Sequence, residues 1–390
     1  MVCRLGGHFR SKIERCVVME LNDTFNFNLS EAYHILLEQR NTDHNVNPFT
    51  EAILIGVYGF LIVVGLLANI LLSIVIARRP QMHTARNLYI VNLTISDITL
   101  CLICMPFTLV AILRRQWNLG LALCKLVPAL QGTNTMVSVG TITVIALDRY
   151  YTIIKGQDGP TTRRRVIVSI ALVWFFSVLV SLPLVVFQVV EPMMFGKVVL
   201  YETCIEDWPN QELKVLYTLC VLMIQAVIPA GVVGCIHAKI ASYLHSHAKT
   251  QRDSRRAQRE LQRNKRTTML LSGVAVLFAV SWLPLGLFSL WADLLYTADS
   301  AKETSFSPES FFVALAACHV IAMSSAVSNP IVYGWLNSNI RRELLQLFSS
   351  SCSMNAMREG NGVGPTSTMM LCQNGQRAQH QPPATTYSAL

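Results

Sequence analysis

The sequence predicts an all-α fold: a seven-transmembrane helix bundle with a short amphipathic helix after the seventh span. Three observations predict it. The 390 residues are 52% hydrophobic and only 14% charged, against about 25% charged in an average soluble domain. Seven runs, each near the roughly 20 apolar residues that cross a bilayer core, are almost free of charge. Proline recurs inside them, at Pro106, Pro183, Pro229, Pro284 and Pro330, where a soluble helix rarely tolerates it but packed membrane helices do.

The runs lie near residues 51–77, 87–112, 121–154, 166–189, 213–243, 267–295 and 309–335. An odd number of crossings places the termini on opposite sides, and Lys and Arg decide which side is which. Arg78, Arg79 and Arg86 follow span one. Lys155, Arg163, Arg164 and Arg165 follow span three, and a basic stretch at 246–266, rich in Gln, Arg and Ser, separates spans five and six. All three stretches share one side, read as cytoplasmic. Arg114, Arg115 and Lys125 on the other side are outnumbered. The formal charge of +9 therefore reflects cytoplasmic bias rather than nucleic-acid binding.

Ahead of span one, residues 1–48 are polar and carry the sequons Asn22-Asp-Thr24 and Asn28-Leu-Ser30, which are glycosylated only on the luminal or outer side. They are expected to form a flexible extracellular segment. The first twenty residues hold no apolar run long enough for a cleavable signal peptide, so span one is expected to direct insertion, and Met19 offers an alternative start. The receptor-like domain is expected over 49–348 and a disordered cytoplasmic tail over 349–390. Within Asn337–Phe348, Ile340, Leu344, Leu345, Leu347 and Phe348 share one helical face, the pattern of a helix lying on a membrane surface. Cys352, just beyond it, is a palmitoylation site in this reading. The terminal Ser388-Ala389-Leu390 fits capture by a PDZ domain.

Of eleven cysteines, Cys101, Cys104, Cys220, Cys235 and Cys318 fall within spans and read as small apolar filler. Cys124 opens span three and Cys204 lies in the loop after span four, both on the oxidising face, where a bridge between them would tether that loop over the bundle. Cys3 and Cys16 also lie outside and could pair or stay free.

Ionisable groups inside a bilayer are costly and mark functional sites. Asp97 lies in the middle of span two, Asp148 and Arg149 end span three in Asp-Arg-Tyr150, and Asn329-Pro330-x-x-Tyr333 lies low in span seven. With Asn69, Trp174, Pro229 and Trp282-Leu283-Pro284 these supply one landmark per span, in order. In that combination the chain resembles the rhodopsin-like G-protein-coupled receptors over about residues 50–348. The resemblance implies a plasma-membrane receptor with its N-terminus outside, serving a heterotrimeric G protein, with arrestin and receptor kinases as further partners.

The resemblance also implies roles for particular residues. Arg149, released from Asp148, would face the G protein, with Tyr150 beside it and Tyr333 in support. Asp97, Ser138, Ser325 and Asn329 resemble an allosteric sodium site; in chemical terms, a buried carboxylate needs a cation or a proton. No other cofactor or metal is expected. Trp282, with Phe278, Val139, Pro229 and Pro284, resembles the packing switch between pocket and cytoplasmic side. The chain departs from the family in carrying His237 where a Tyr is usual and Ser281 where a Cys is usual.

Two ligand classes are set aside. The position of the amine-binding Asp is Gln131, and that of the retinal-binding Lys is Met323. The segments Trp117–Gln131 and Ser281–Phe288 resemble the neuropeptide Y and neuropeptide F receptor group. Gln131, Thr108, Gln225 and His319 match that group's peptide pocket, and Asp293 matches an acidic partner of a ligand Arg. Ser289 and Ala111 depart from it.

Chemically, Asp293 can pair bidentately with guanidinium, and Gln131 offers donor and acceptor to a terminal carboxamide. Outer acids, Glu191, Glu202, Glu206, Asp207, Glu212 and Glu309 among them, would steer a basic peptide inward. The expectation is a receptor for an amidated peptide, coupled to the inhibitory G-protein class and lowering cyclic AMP. The alternatives are a receptor for another amidated peptide (RF-amide, prolactin-releasing-peptide or tachykinin-like) and, from a different class, an ion-coupled transporter. An enzyme is not expected, since no metalloprotease or nucleophile-elbow motif occurs.

Overall fold

The structure is a computed structural model that describes residues 43–78, 80–154, 162–195, 198–250, 255–297, 308–336, 340–343 and 345–346. Asn22, Asn28, Cys3, Cys16, Cys352 and the tail from 349 lie outside the described residues. The chain divides into two units, Met1–Val332 and Tyr333–Leu390.

In the first unit, α1 runs Pro48–Arg78. Its start is set by Asn47, whose Oδ1 accepts from the Thr50 amide at 2.8 Å, and by Pro48 at the first helical position, where a missing N–H costs nothing. Helix α2 comprises Ala85–Thr99, a π-helical turn Leu100–Cys104, and Met105–Leu113. The unbroken helices α3 and α4 run Gly120–Ile153 and Arg163–Phe187. Helix α5 repeats the pattern of α2, with Gln211–Leu222, a π turn Met223–Val227, and Ile228–Thr250. Helix α6 spans Arg255–Thr297, and α7 consists of Pro308–Met323 and Ser325–Leu336, whose residues from Tyr333 on are counted in the second unit.

Pro106 and Pro229 each stand second in the segment that resumes after a π turn. A wide turn before a proline removes the clash between its ring and the preceding carbonyls.

Six helical segments of the described residues are long and apolar enough to cross a membrane. The seventh expected span, α3, is not among them, and its burial explains why. Sixteen of its 34 residues are buried, including Gln131, Thr133, Asn134, Thr135, Ser138 and Thr141, whereas α4 buries four of 25. A helix surrounded by protein satisfies polar side chains there and needs no apolar face for lipid.

Small residues bring α4 close to it. A Cβ on Gly140 would lie 2.9 Å from Val173 Cγ1, and one on Gly132 3.1 Å from Ser181 Oγ. Asn92 links three helices, donating to Thr141 Oγ1 at 2.9 Å and accepting from Trp174 Nε1 at 2.8 Å. Asn69 Nδ2 donates to the carbonyls of Gly65 and Ala326 at 2.8 and 2.9 Å, joining α1 to α7.

The loop expected after span four is an antiparallel hairpin, β1 Gln188–Phe195 and β2 Val198–Glu206, paired from Gln188↔Glu206 to Phe195↔Val198. Cys124 and Cys204 are disulfide-bonded, with Cα atoms 5.7 Å apart, so the hairpin is tied to the start of α3. Trp117 packs against this bridge and donates from Nε1 to the carbonyl of Gly120 at 2.9 Å. Gly120 has φ of 76°, a left-handed conformation that favours glycine. In the second unit, residues 340–343 and 345–346 are helical; the rest of the amphipathic helix expected over 337–348 lies outside the described residues.

Candidate ligand and signalling sites

Four side chains meet at the floor of the half of the bundle that carries the hairpin, which we call its outer half. Thr108 Oγ1 donates to Gln131 Oε1 at 3.1 Å, and His319 Nε2 lies 3.4 Å from the same oxygen. An amide oxygen only accepts, so Nε2 carries the proton, and in the neutral ring Nδ1 accepts from the Tyr58 hydroxyl at 2.6 Å. The Tyr58 and His319 rings stack with centroids 5.8 Å apart. Gln131 is 1% exposed, and its Nε2 has no hydrogen-bond partner among the described residues. It lines a cavity of about 20 Å³ with Gln225, Tyr217, Thr135, Ser181 and Trp282, about the room an ordered water occupies. Gln131, Thr108 and His319 thus form one network, and Gln225 shares the cavity with Gln131.

Asp293 belongs to a separate cluster. Three residues on one face of α5 converge on it: Gln211 Nε2 donates to its backbone carbonyl at 3.0 Å, Lys214 Nζ lies 3.2 Å from Oδ1, and Thr218 Oγ1 donates to Oδ2 at 2.7 Å. Lys214 Nζ also lies 4.0 Å from Glu206 Oε2. That oxygen accepts from Trp208 Nε1 at 2.9 Å, and Glu206 Oε1 accepts from Gln188 Nε2 at 3.3 Å. The end of the hairpin, the start of α5 and the outer end of α6 therefore meet in one buried ion cluster.

Tyr58, Lys214, Thr218 and Gln211 were not singled out in the sequence. The signal for the last three was their spacing, i, i+3 and i+7, a polar stripe on an otherwise apolar helix.

Below the pocket, Trp282 stacks on Phe278 at 6.0 Å and donates from Nε1 to Ser325 Oγ at 3.1 Å. Asn329 Nδ2 donates to Asp97 Oδ2 at 3.1 Å, while Ser138 Oγ lies 3.4 Å from Ser96 Oγ. Of the expected sodium set, Asp97 and Asn329 are in direct contact. Ser325 is engaged with Trp282 and Ser138 with Ser96. Pro284 and Pro330 lie inside α6 and α7.

At the inner end of α3, Asp148, Arg149 and Tyr150 are half-buried. Tyr150 packs on Ala146, Val233, Ile236, Ile240 and Leu244, which fixes the triplet against α5. His237 Nδ1 and Ser272 Oγ lie 2.6 Å apart, joining α5 to α6. The side chain of Tyr333 lies outside the described residues.

A bundle with a polar central helix, a disulfide-tied hairpin above it, a buried outer pocket and Asp-Arg-Tyr at its inner end defines a seven-helix membrane receptor. The chain matches the 7 transmembrane receptor (rhodopsin family) over residues 68–333, more than half its length, and it belongs to that family. It is 37% identical to a neuropeptide F receptor from Drosophila melanogaster over 345 residues, covering 85% of this chain and 69% of that one. It is also 34% identical to the neuropeptide Y receptor type 2 of Homo sapiens over 313 residues, 79% of each chain. The type 2 receptor of Cavia porcellus is 34% identical over 312 residues, 78% of each. The protein is a multi-pass membrane receptor of the neuropeptide Y and F type, not an enzyme.

Proposed function

We propose that the ligand is an amidated peptide with arginine before its terminal aromatic residue, and that binding lowers cyclic AMP through a heterotrimeric G protein of the inhibitory class. The observation that carries the ligand reading is the Nε2 of Gln131, without a hydrogen-bond partner among the described residues and buried beside the cavity. A buried donor without an acceptor costs about 1–3 kcal/mol, and a ligand carboxamide oxygen supplies the acceptor. Asp293, in the buried cluster of α5 and α6, is the partner for the arginine guanidinium. The names of the related receptors support the same peptide class.

In this reading the N-terminus is outside, with Asn22 and Asn28 glycosylated, and Cys352 is palmitoylated on the inside. Arrestin, receptor kinases and a PDZ protein are further cytoplasmic partners. Asp97 with Asn329, Ser138 and Ser325 holds a sodium ion; one carboxylate among neutral oxygens is a donor set suited to a hard monovalent cation.

The test is a cyclic-AMP reporter in cells expressing the full chain, treated with neuropeptide F-like, neuropeptide Y-like and short RF-amide peptides, each as amide and free acid. A dose-dependent fall in forskolin-raised cyclic AMP that requires the amide supports the proposal. Equal potency of amide and acid sinks the Gln131 assignment. Strength in the RF-amide series alone transfers the ligand to that class.

A further inference from the structure

The guanidinium partner proposed above already holds a cation. Lys214 Nζ is 3.2 Å from Asp293 Oδ1 and 4.0 Å from Glu206 Oε2, and the three residues are 7%, 2% and 2% exposed. Two carboxylates flank one ammonium. Guanidinium suits Asp293 better than ammonium does, because its planar fork matches a carboxylate bidentately while Lys is a point charge on a flexible stem. Glu206 is within reach of Lys214 and is held in place by Trp208 and Gln188.

Resting on the proposed ligand, we propose that Lys214 is a resident cation that the ligand arginine exchanges for. The guanidinium takes Asp293, and Lys214 shifts fully onto Glu206. Lys214 then sets specificity in two ways. It excludes ligands whose cation pairs too weakly to displace it, and it joins arginine binding to the contact between α5 and the hairpin.

The exchange is read from binding to intact cells, as the ratio of affinities for an amidated neuropeptide F-like peptide carrying penultimate arginine and the same peptide carrying neutral citrulline. Lys214→Met removes the competitor and raises this ratio about tenfold, the scale of one charge-assisted hydrogen bond. Lys214→Arg keeps a cation and does not raise it. Glu206→Gln strands Lys214 on Asp293 and lowers the ratio, and adding Lys214→Met to Glu206→Gln restores it to the wild-type value or above.

That restoration separates exchange from direct contact between Glu206 and the ligand, in which case the double variant stays low. An unchanged or reduced ratio in surface-expressed Lys214→Met overturns the proposal, and Lys214→Gln serves the same purpose if the Met variant fails to reach the surface. If the wild-type receptor itself shows no amide-dependent binding, the ligand assignment fails. If it binds with amide dependence but Lys214 has no influence on the ratio, the exchange alone fails.

Discussion

Asp293 and Asp97 are carboxylates of nearly equal burial, at 2% and 3% exposure, yet the chain holds them differently. Asp293, at the outer end of α6, faces the ammonium of Lys214 and the hydroxyl of Thr218. Asp97, in the middle of α2, accepts from the neutral amide of Asn329. A carboxylate matched by a full charge gives up that partner only to another cation. One matched by a neutral donor still carries its charge uncompensated by that contact and attracts a small cation or a proton. In the proposed reading the first suits recognition of a charged ligand, and the second suits an internal ion whose presence biases the receptor between states.

Five substitutions break or sharpen this contrast. The largest effect is expected from Arg149→Ala, which belongs to neither carboxylate: G-protein activation falls to background in a reporter assay while radioligand binding persists. Retained activation would remove the inner end of α3 from the signalling path. Asp293→Ala comes next, weakening arginine peptides by about tenfold to a hundredfold and leaving citrulline analogues unchanged; equal loss for both peptides would mean that the carboxylate is structural. In the proposed sodium reading, agonist affinity depends on sodium and Asp97→Asn abolishes that dependence, measured by titrating sodium against potassium at constant ionic strength. Persisting sensitivity would locate the ion elsewhere.

Smaller shifts are expected from single neutral hydrogen bonds, worth about 0.5–1.5 kcal/mol each. Ser272→Ala removes the bond with His237 and raises basal signalling by about twofold to tenfold, because that bond joins α5 to α6. Thr218→Val removes one bond to Asp293 and lowers affinity for arginine peptides by a few-fold at most; a loss as large as that of Asp293→Ala would show that the hydroxyl, rather than Lys214, orients the carboxylate.

The spans were legible because lipid imposes a simple rule on length and charge, and α1, α4 and α6 obey it. The hairpin was not. Pro192 lies within its first strand and pairs opposite Glu202, and proline counts against a strand except in an edge position, which a two-stranded ribbon provides. Gln131, Thr108 and His319 were legible as members of one pocket through family likeness, and the structure places them in one network. Tyr58 was invisible beside them, since a tyrosine in an apolar helix has an ordinary packing role.

Lys214 was missed for a different reason. A lysine near a helix start reads as a solvated end, and its carboxylate partner lies 79 positions away on another helix. Of the proposed sodium set, the sequence placed four residues together, but two of their side chains turn to other partners, a matter of rotamer that no spacing encodes.

The polarity of α3 bears on how the receptor is made. A segment carrying Gln131, Thr133, Asn134, Thr135, Ser138 and Thr141 on its buried faces partitions into lipid less readily than its six companions, and insertion machinery sorts segments by that partitioning. It follows that α3 depends on its neighbours to enter the bilayer. Gly132 and Gly140, through which α3 meets α4, and the Asn92 link from α2 are the contacts by which those neighbours hold it. Substitutions along that seam would then act first on how much receptor leaves the endoplasmic reticulum, before any effect on peptide or G protein could be measured.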